Sequence, residues 1–371
     1  MAKNFKSELR KSFDGVTCRL SPHVDVVCVI LIAVFSGLLF FVNLGNGPLW
    51  SADEQTYSQW GYYMAKTGDY LNPWAFGAPS LWIGKPPLYF WLMAISYQVF
   101  GVSNFSTRFW SAIFGVLSCC VLFYLGKKLY NRVVGFLSVI VLSTFFSFYA
   151  FATHAMLDVP LIFFMLTSIF LFLLAEESEK GKAFVILSGL AFGLALMTKQ
   201  TNALLIPLIL GFFVVLSRRS IRSLFSKRFA IFLGVGAFVV SPWLVFMVLQ
   251  YGQSFLHVFL IYNNVARAVV PLEGHVGDVF FYFNFLVTRD NPVWVALLPF
   301  AFALSAFHAV RKRSKADMLL VVWIVLVLGL FTVAQTKLYW YILPAFPAFA
   351  LVTASFLFSL SKRLRSQKNS A

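Results

Sequence analysis

Acidic residues are scarce in this chain: Asp and Glu number 14 among 371 residues, against 30 Lys and Arg. Charged residues of both signs reach only 12%. Soluble domains carry roughly a quarter, so a water-solvated globular surface is excluded. Cysteine is nearly absent as well. Of the four cysteines, Cys18 is predicted on the cytoplasmic side and Cys28, Cys119 and Cys120 fall inside apolar runs, which excludes an external disulfide framework and leaves small packing residues. No cleavable leader is evident, because the first apolar run is long and lacks a small-residue cleavage site. No internal repeat of transporter type is visible.

What is abundant is apolar: 60% hydrophobic residues, 18% aromatic residues and a mean hydropathy of +0.80. Such a chain is an all-α polytopic membrane protein. Runs of about 20 apolar residues span a hydrocarbon core of roughly 30 Å. We read about ten, at 24–44, 107–126, 133–150, 157–175, 183–198, 201–217, 229–250, 292–310, 318–335 and 340–360. The fifth and sixth share the short junction "MTKQTN". With the N-terminus inside, the inner segments hold 23 of the 30 basic residues, as the positive-inside rule requires. The expected organisation is a cytoplasmic N-terminus (1–23), a transmembrane domain (24–361) and a cytoplasmic tail (362–371). The net charge of +16 thus describes topology and attraction to lipid headgroups, and nucleic acid is set aside as a partner.

Two outer loops, 45–106 and 251–291, are far longer than the other connections, and function is expected there. After Ser51, the residues Tyr57, Trp60, Gly61 and Met64 recur every three or four positions, predicting an interfacial helix. A second should follow "GKPPLYF", its prolines at the opening.

Ser51-Ala52-Asp53-Glu54 fits a capping box in which Glu54 reaches back to the Ser51 N–H. That accounts for Glu54. It leaves Asp53 as the candidate for chemistry, since a first-turn acid gains at most about 1 kcal/mol from the helix dipole. Asp158, in "THAMLDVPL", stands at the entrance of the fourth span, where a carboxylate costs up to about 2.5–3.5 kcal/mol at helix-centre depth; it is either a helix-start residue or a site residue, or both. Four of the seven outward bases, Lys85, Arg267, Arg289 and Lys337, could bind a phosphate, against the commoner fate of snorkelling. For Arg289 an ion pair with Asp290 is the competing reading. Glu273, His275 and Asp278 in "EGHVGD" are too weak a set to assign a metal, and a solvated loop accounts for them better.

The order of these features resembles the GT-C membrane glycosyltransferases: "SADEQTY" after span one, "GKPPLYFWL", "THAMLDVPL" at span four and "TKLYWYILPAFPAFAL" at the last span. Within them the chain is most similar to the bacterial branch of the protein O-mannosyltransferase and lipid A aminoarabinose transferase superfamily. That resemblance implies inverting transfer of one sugar from a polyprenyl-phosphate donor to a lipid, glycan or protein acceptor at the outer face of a bacterial inner membrane. It implies Asp53 as catalytic base, Lys85 and Arg267 on the carrier phosphate, and Asp158 as an organiser of the site, with Glu54 and Lys337 as further candidates for substrate contact. Gly84 stands where aminoarabinose transferases commonly carry a metal-binding acid, which counts against a divalent metal, and no other cofactor is implied. His154 stands where relatives often carry Arg. The chain ends about ten residues after its last predicted span, so acceptor recognition is expected to rest on the loops. A base facing a cation cluster suits inversion: the acceptor oxygen attacks from one side while phosphate leaves on the other. The alternative, a flippase for a lipid-linked sugar, would need a polar path across the bilayer, and the spans carry almost no ionisable residues below their outer third.

Overall fold

A computed structural model describes residues 22–75, 78–81, 84–176 and 178–368. The stretch before residue 22, with Cys18 and most of the predicted N-terminal segment, lies outside the described residues.

Helix α1 (Pro22–Phe41) is the first apolar rod. Ser51 then caps α2 (Ala52–Thr67), its hydroxyl accepting the Glu54 N–H at 3.1 Å. α2 buries Glu54, Tyr57, Trp60, Gly61 and Met64, the three-and-four spacing visible in the sequence. It stops at Gly68, which takes the left-handed φ of +73° that a side chain would resist. A two-residue hairpin, β1 (Trp74–Ala75) against β2 (Ala78–Pro79), pairs Trp74 with Pro79 and Ala75 with Ala78. Past the Pro86-Pro87 pair, α3 (Leu88–Phe100) packs back along α2. Both helices predicted in the first long loop are therefore present.

The remaining bundle comprises α4 (Asn104–Leu129), α5 (Arg132–Ser143), α6 (Phe146–Ala152), α7 (Asp158–Ala175), α8 (Gly181–Ala203), α9 (Leu205–Arg218), α10 (Lys227–Leu256), α11 (Phe281–Arg289), α12 (Pro292–Arg311), α13 (Lys315–Val333) and α14 (Phe346–Lys368). Helix α10 runs on through a π-helix at His257–Ala266 and a short turn at Arg267–Val269, and a 3-10 turn at Tyr339–Ala345 leads into α14. π-helices are rare and cluster at functional sites.

Each of the ten predicted runs falls on a helix, but the count of ten does not follow. Among the described residues eight helices are long and apolar enough to cross a membrane, or nine if α5 and α6, bent by 75°, form one broken span. Helix α9, at 14 residues, is short for a full crossing. The chain is an integral membrane protein. Its core is the packing of α4, α5, α7, α8 and α14, with Phe123, Phe145, Phe148 and Phe346 fully buried. By contrast α1 leaves Val26, Ile30, Val34 and Leu38 exposed, a face suited to lipid.

Candidate active site

Asp53 lies half-buried in the first turn of α2, beside a Glu54 that is wholly enclosed. The two acids of "SADEQTY" thus have different surroundings. Glu54 meets Arg108 of α4, with Nε at 2.8 Å from Oε1 and Nη2 at 3.2 Å from Oε2. It also accepts the Ala155 N–H at 2.8 Å and the Trp50 N–H. Burial alone would raise this carboxyl, but the bonds from Arg108, Ala155 and Trp50 hold it below the usual value. Arg108 spends its other donors on the carbonyls of Leu44, Asn46 and Pro48, at 3.2, 2.8 and 2.7 Å. One buried ion pair therefore ties together the exit from α1, the start of α2, the start of α4 and the approach to Asp158. This corrects two expectations. Only the Ser51 half of the capping box forms, Glu54 reaching Trp50 instead, and Glu54 has no oxygen left for a substrate.

Asp158, 1% exposed, opens α7 and pairs with Lys199 at 2.7 Å. Lys199 sits where α8 breaks, its backbone at φ −152° and ψ 85°, so the junction between the fifth and sixth predicted spans turns a lysine inward. Its ammonium is 6.0 Å from the Tyr341 ring centre. The next residue, Gln200, donates from Nε2 to the Gly84 carbonyl at 3.3 Å, which brings α8 against the segment carrying Lys85. Half-buried Lys85 is pushed down to about 8 by burial and by the positive fields of Lys199 and Arg267, against the opposing pull of Asp53 and Asp158. Tyr57, one helical turn after Asp53, is raised well above its ordinary value by burial and by Asp53 and Asp158.

Arg267 follows the π-helix, ion-paired with Glu273 at 2.8 Å and hydrogen-bonded to the Tyr341 side chain. The bend before the 3-10 turn is stitched to the second long loop, the N–H of Gln335 donating to the Ala268 carbonyl and that of Thr336 to the Arg267 carbonyl. Two residues apart on a 3-10 turn, Tyr339 and Tyr341 point to different sides. Tyr341 meets Arg267, while Tyr339 stacks on Phe285 at 5.3 Å and lines a cavity of about 420 Å³ with Trp50, Phe151 and Arg289. The Tyr339 phenol lies in the fields of both Asp53 and Asp158. The predicted residues Asp53, Lys85, Asp158 and Arg267, distant in sequence, thus form one cluster.

Lys337 does not join it. Its ammonium donates to the Phe331 and Thr332 carbonyls at 3.0 and 2.5 Å, closing the end of α13, and burial lowers it. Arg289 is not paired with Asp290, which instead accepts the N–H groups of Phe146 and Asn291. In "EGHVGD", Glu273 is taken by Arg267 and Asp278 accepts the Phe280 N–H. His154, whose ring packs 4.7 Å from Trp50, bonds the Ala150 carbonyl at 2.7 Å, and burial lowers it. Sequence reasoning missed Lys199, Arg108 and Tyr341. The first two had a signal, as outward bases beside apolar runs.

The donor set does not suit a divalent metal. Among the described residues no three His, Cys, Asp or Glu converge, and three cations dominate the cluster. Nor does position 84 favour an acid: Gly84 has φ +51°, where any side chain is strained, and a Cβ there would have to displace the Asn263 amide, 2.6 Å away.

A family model described as dolichyl-phosphate-mannose-protein mannosyltransferase matches residues 84–246. A protein of Aquifex aeolicus is 31% identical over 346 residues, 92% of this chain and 65% of its own length. An undecaprenyl phosphate-alpha-4-amino-4-deoxy-L-arabinose arabinosyl transferase of Pectobacterium carotovorum is 30% identical over 341 residues, 91% of this chain and 60% of its own. Among solved structures, ArnT from Cupriavidus metallidurans bound to undecaprenyl phosphate superposes with a TM-score of 0.77 at 20% identity, covering 88% of this chain and 59% of that one. The oligosaccharyltransferase AglB from Archaeoglobus fulgidus gives 0.65 at 16% identity, covering 94% and 52%. The chain has the fold of the GT-C membrane glycosyltransferases. In sequence it is similar to undecaprenyl-phosphate aminoarabinose transferases, and it spans about three fifths of their length.

Proposed function

We propose that this chain is an inverting glycosyltransferase that moves one sugar from a polyprenyl-phosphate donor to a lipid, glycan or protein acceptor at the outer face of the membrane, both termini lying on the cytoplasmic side. The observation that carries the proposal is the cluster itself, in which Lys85, Lys199 and Arg267 surround Asp53 and Asp158 at one end of an apolar bundle. Lys85, Arg267 and Tyr341 take the carrier phosphate. Asp158, held by Lys199, faces the sugar. Asp53, without an ion pair among the described residues, takes the acceptor's proton as the acceptor oxygen bonds the anomeric carbon. The bond from that carbon to the phosphate oxygen breaks, and polyprenyl phosphate leaves with the bonding pair, its charge met by cations already in place.

The cavity between Trp50, Tyr339 and Arg289 lies across the Tyr339–Tyr341 turn from Arg267, which suits an acceptor attacking opposite to the leaving phosphate. A flippase is less well served, because among the described residues the buried charges gather at the two ends of the bundle rather than along a path through it. The test compares the masses of glycolipids and glycoproteins in membranes made with wild-type chain, with Asp53→Asn and without the chain. A sugar increment present only with the wild type is expected, and its persistence in Asp53→Asn would overturn the role of Asp53.

A further inference from the structure

Three buried side-chain atoms near the cluster lack a hydrogen-bond partner among the described residues: Asp158 Oδ2, Gln200 Oε1 and Asn202 Nδ2. Burying a polar group without a partner is costly, and two of these atoms are acceptors on the side of the cluster where the proposed function puts the donor sugar. Gln200 is about nine-tenths buried. Its amide orientation is set by donation from Nε2 to the Gly84 carbonyl, which leaves Oε1 as the unused acceptor. That carbonyl immediately precedes Lys85, and a sugar on the carrier is one bond from the phosphate that Lys85 would bind. On the other side Asp158 has Oδ1 on Lys199 and Oδ2 unused.

The π-helix packs against this side of the cluster. Asn263 stands over Gly84, and the Thr201 hydroxyl donates to Asn264. The walls are therefore fixed before any ligand arrives, a condition for reading a small rigid group.

We infer that Gln200 and Asp158 form the sugar-reading wall of the site, and that they select a neutral sugar presenting two ring hydroxyls as hydrogen-bond donors. Charge favours hydroxyls over an ammonium. Asp158 is already paired with Lys199 and Glu273 with Arg267, and Gln200 carries no charge, so a cationic sugar would find only Asp53 without an ion pair among the described residues, with Lys85 beside it. The inference rests on the proposed transferase reading and adds to it a specificity determinant and the class of sugar.

The test uses the full chain in lipid nanodiscs and measures the binding of undecaprenyl phosphate, of its glucose-, mannose- and xylose-linked forms, and of its 4-amino-4-deoxyarabinose-linked form. At least one neutral-sugar donor should bind about tenfold or more tighter than the bare carrier, while the amino sugar gains less. Gln200→Leu should erase that gain, taken as the ratio of sugar-linked to bare undecaprenyl phosphate affinity so that any effect of the lost Gly84 bond on the Lys85 segment cancels. On the wild type, singly deoxygenated versions of the preferred sugar should lose about tenfold at two positions and little elsewhere, whatever becomes of the variant. Equal affinity for bare and sugar-linked carriers, a larger gain for the amino sugar, or an undiminished gain in Gln200→Leu each overturns the inference. Failure of the underlying reading looks different: undecaprenyl phosphate would then bind equally to wild type and Lys85→Ala.

Discussion

Replacing Arg108 by Met tests how the first long loop is held, because that arginine serves five acceptors on two segments, residues 44–48 and the start of α2. The change leaves Glu54 fully buried with only the Ala155 and Trp50 N–H groups, and strips the carbonyls of Leu44, Asn46 and Pro48 of their donor. Removing one partner of a buried pair costs about 3–5 kcal/mol, or roughly two to three and a half decades in the folding equilibrium. Arg108→Lys keeps the charge but cannot reach five acceptors in a planar fork, so it should lose about half as much. The sign with pH follows from Glu54. Its folded value is depressed, so the stability it contributes is present above the unfolded value of 4.5 and is lost as pH falls through the folded value. In Arg108→Met, burial without the guanidinium favours the protonated acid, and the deficit against wild type should narrow in acid. Denaturant unfolding in mixed micelles at pH 7 and pH 4 measures both effects. A deficit below about 1 kcal/mol at pH 7, or one that is unchanged at pH 4, would refute the staple.

Other expectations follow from the same geometry. Lys199→Met leaves Asp158 buried without its cation and should cost about 3–5 kcal/mol, much of it recovered in the double variant with Asp158→Asn; a double-mutant cycle without coupling would sink the pair. Because Lys85 is pushed down to about 8, undecaprenyl phosphate affinity of the free protein should be flat from about pH 7, above the phosphate's second ionisation at about 6, up to that value and fall by up to tenfold per unit above it, and Lys85→Arg, charged throughout, should remove the fall. Arg289→Gln should raise the acceptor KM at least about fivefold and leave the donor KM in place, as a loss of about 1 kcal/mol at a cavity wall implies; a matched change in both constants would move the acceptor elsewhere.

Much of the candidate cluster was legible because charge is so rare in this chain that each acid or base beside an apolar run stands out. Asp53, Lys85, Asp158 and Arg267 were found that way, and the helices of the first loop by their spacing. The rest depended on three-dimensional facts with no local mark. Nothing in "MTKQTN" announces a backbone break that turns Lys199 inward, since neither Gly nor Pro is there. Glu54 fitted a capping box in sequence, and only the distant Arg108 makes it a cross-link instead. Lys337 stood close in sequence to the site tyrosines, yet the last carbonyls of α13 lay nearer to its ammonium than any phosphate site. The count of spans was unsettled for a similar reason: a 75° bend and a 14-residue helix are invisible in an apolar run.

The most direct test of the central claim is single-turnover transfer by purified protein in liposomes, with a radiolabelled polyprenyl-phosphate sugar and membrane acceptors, comparing wild type with Asp53→Asn. The account predicts that Asp53→Asn binds the donor with near-normal affinity and transfers at least about a hundredfold more slowly, the span expected for a lost general base. Transfer by Asp53→Asn at close to the wild-type rate would contradict it.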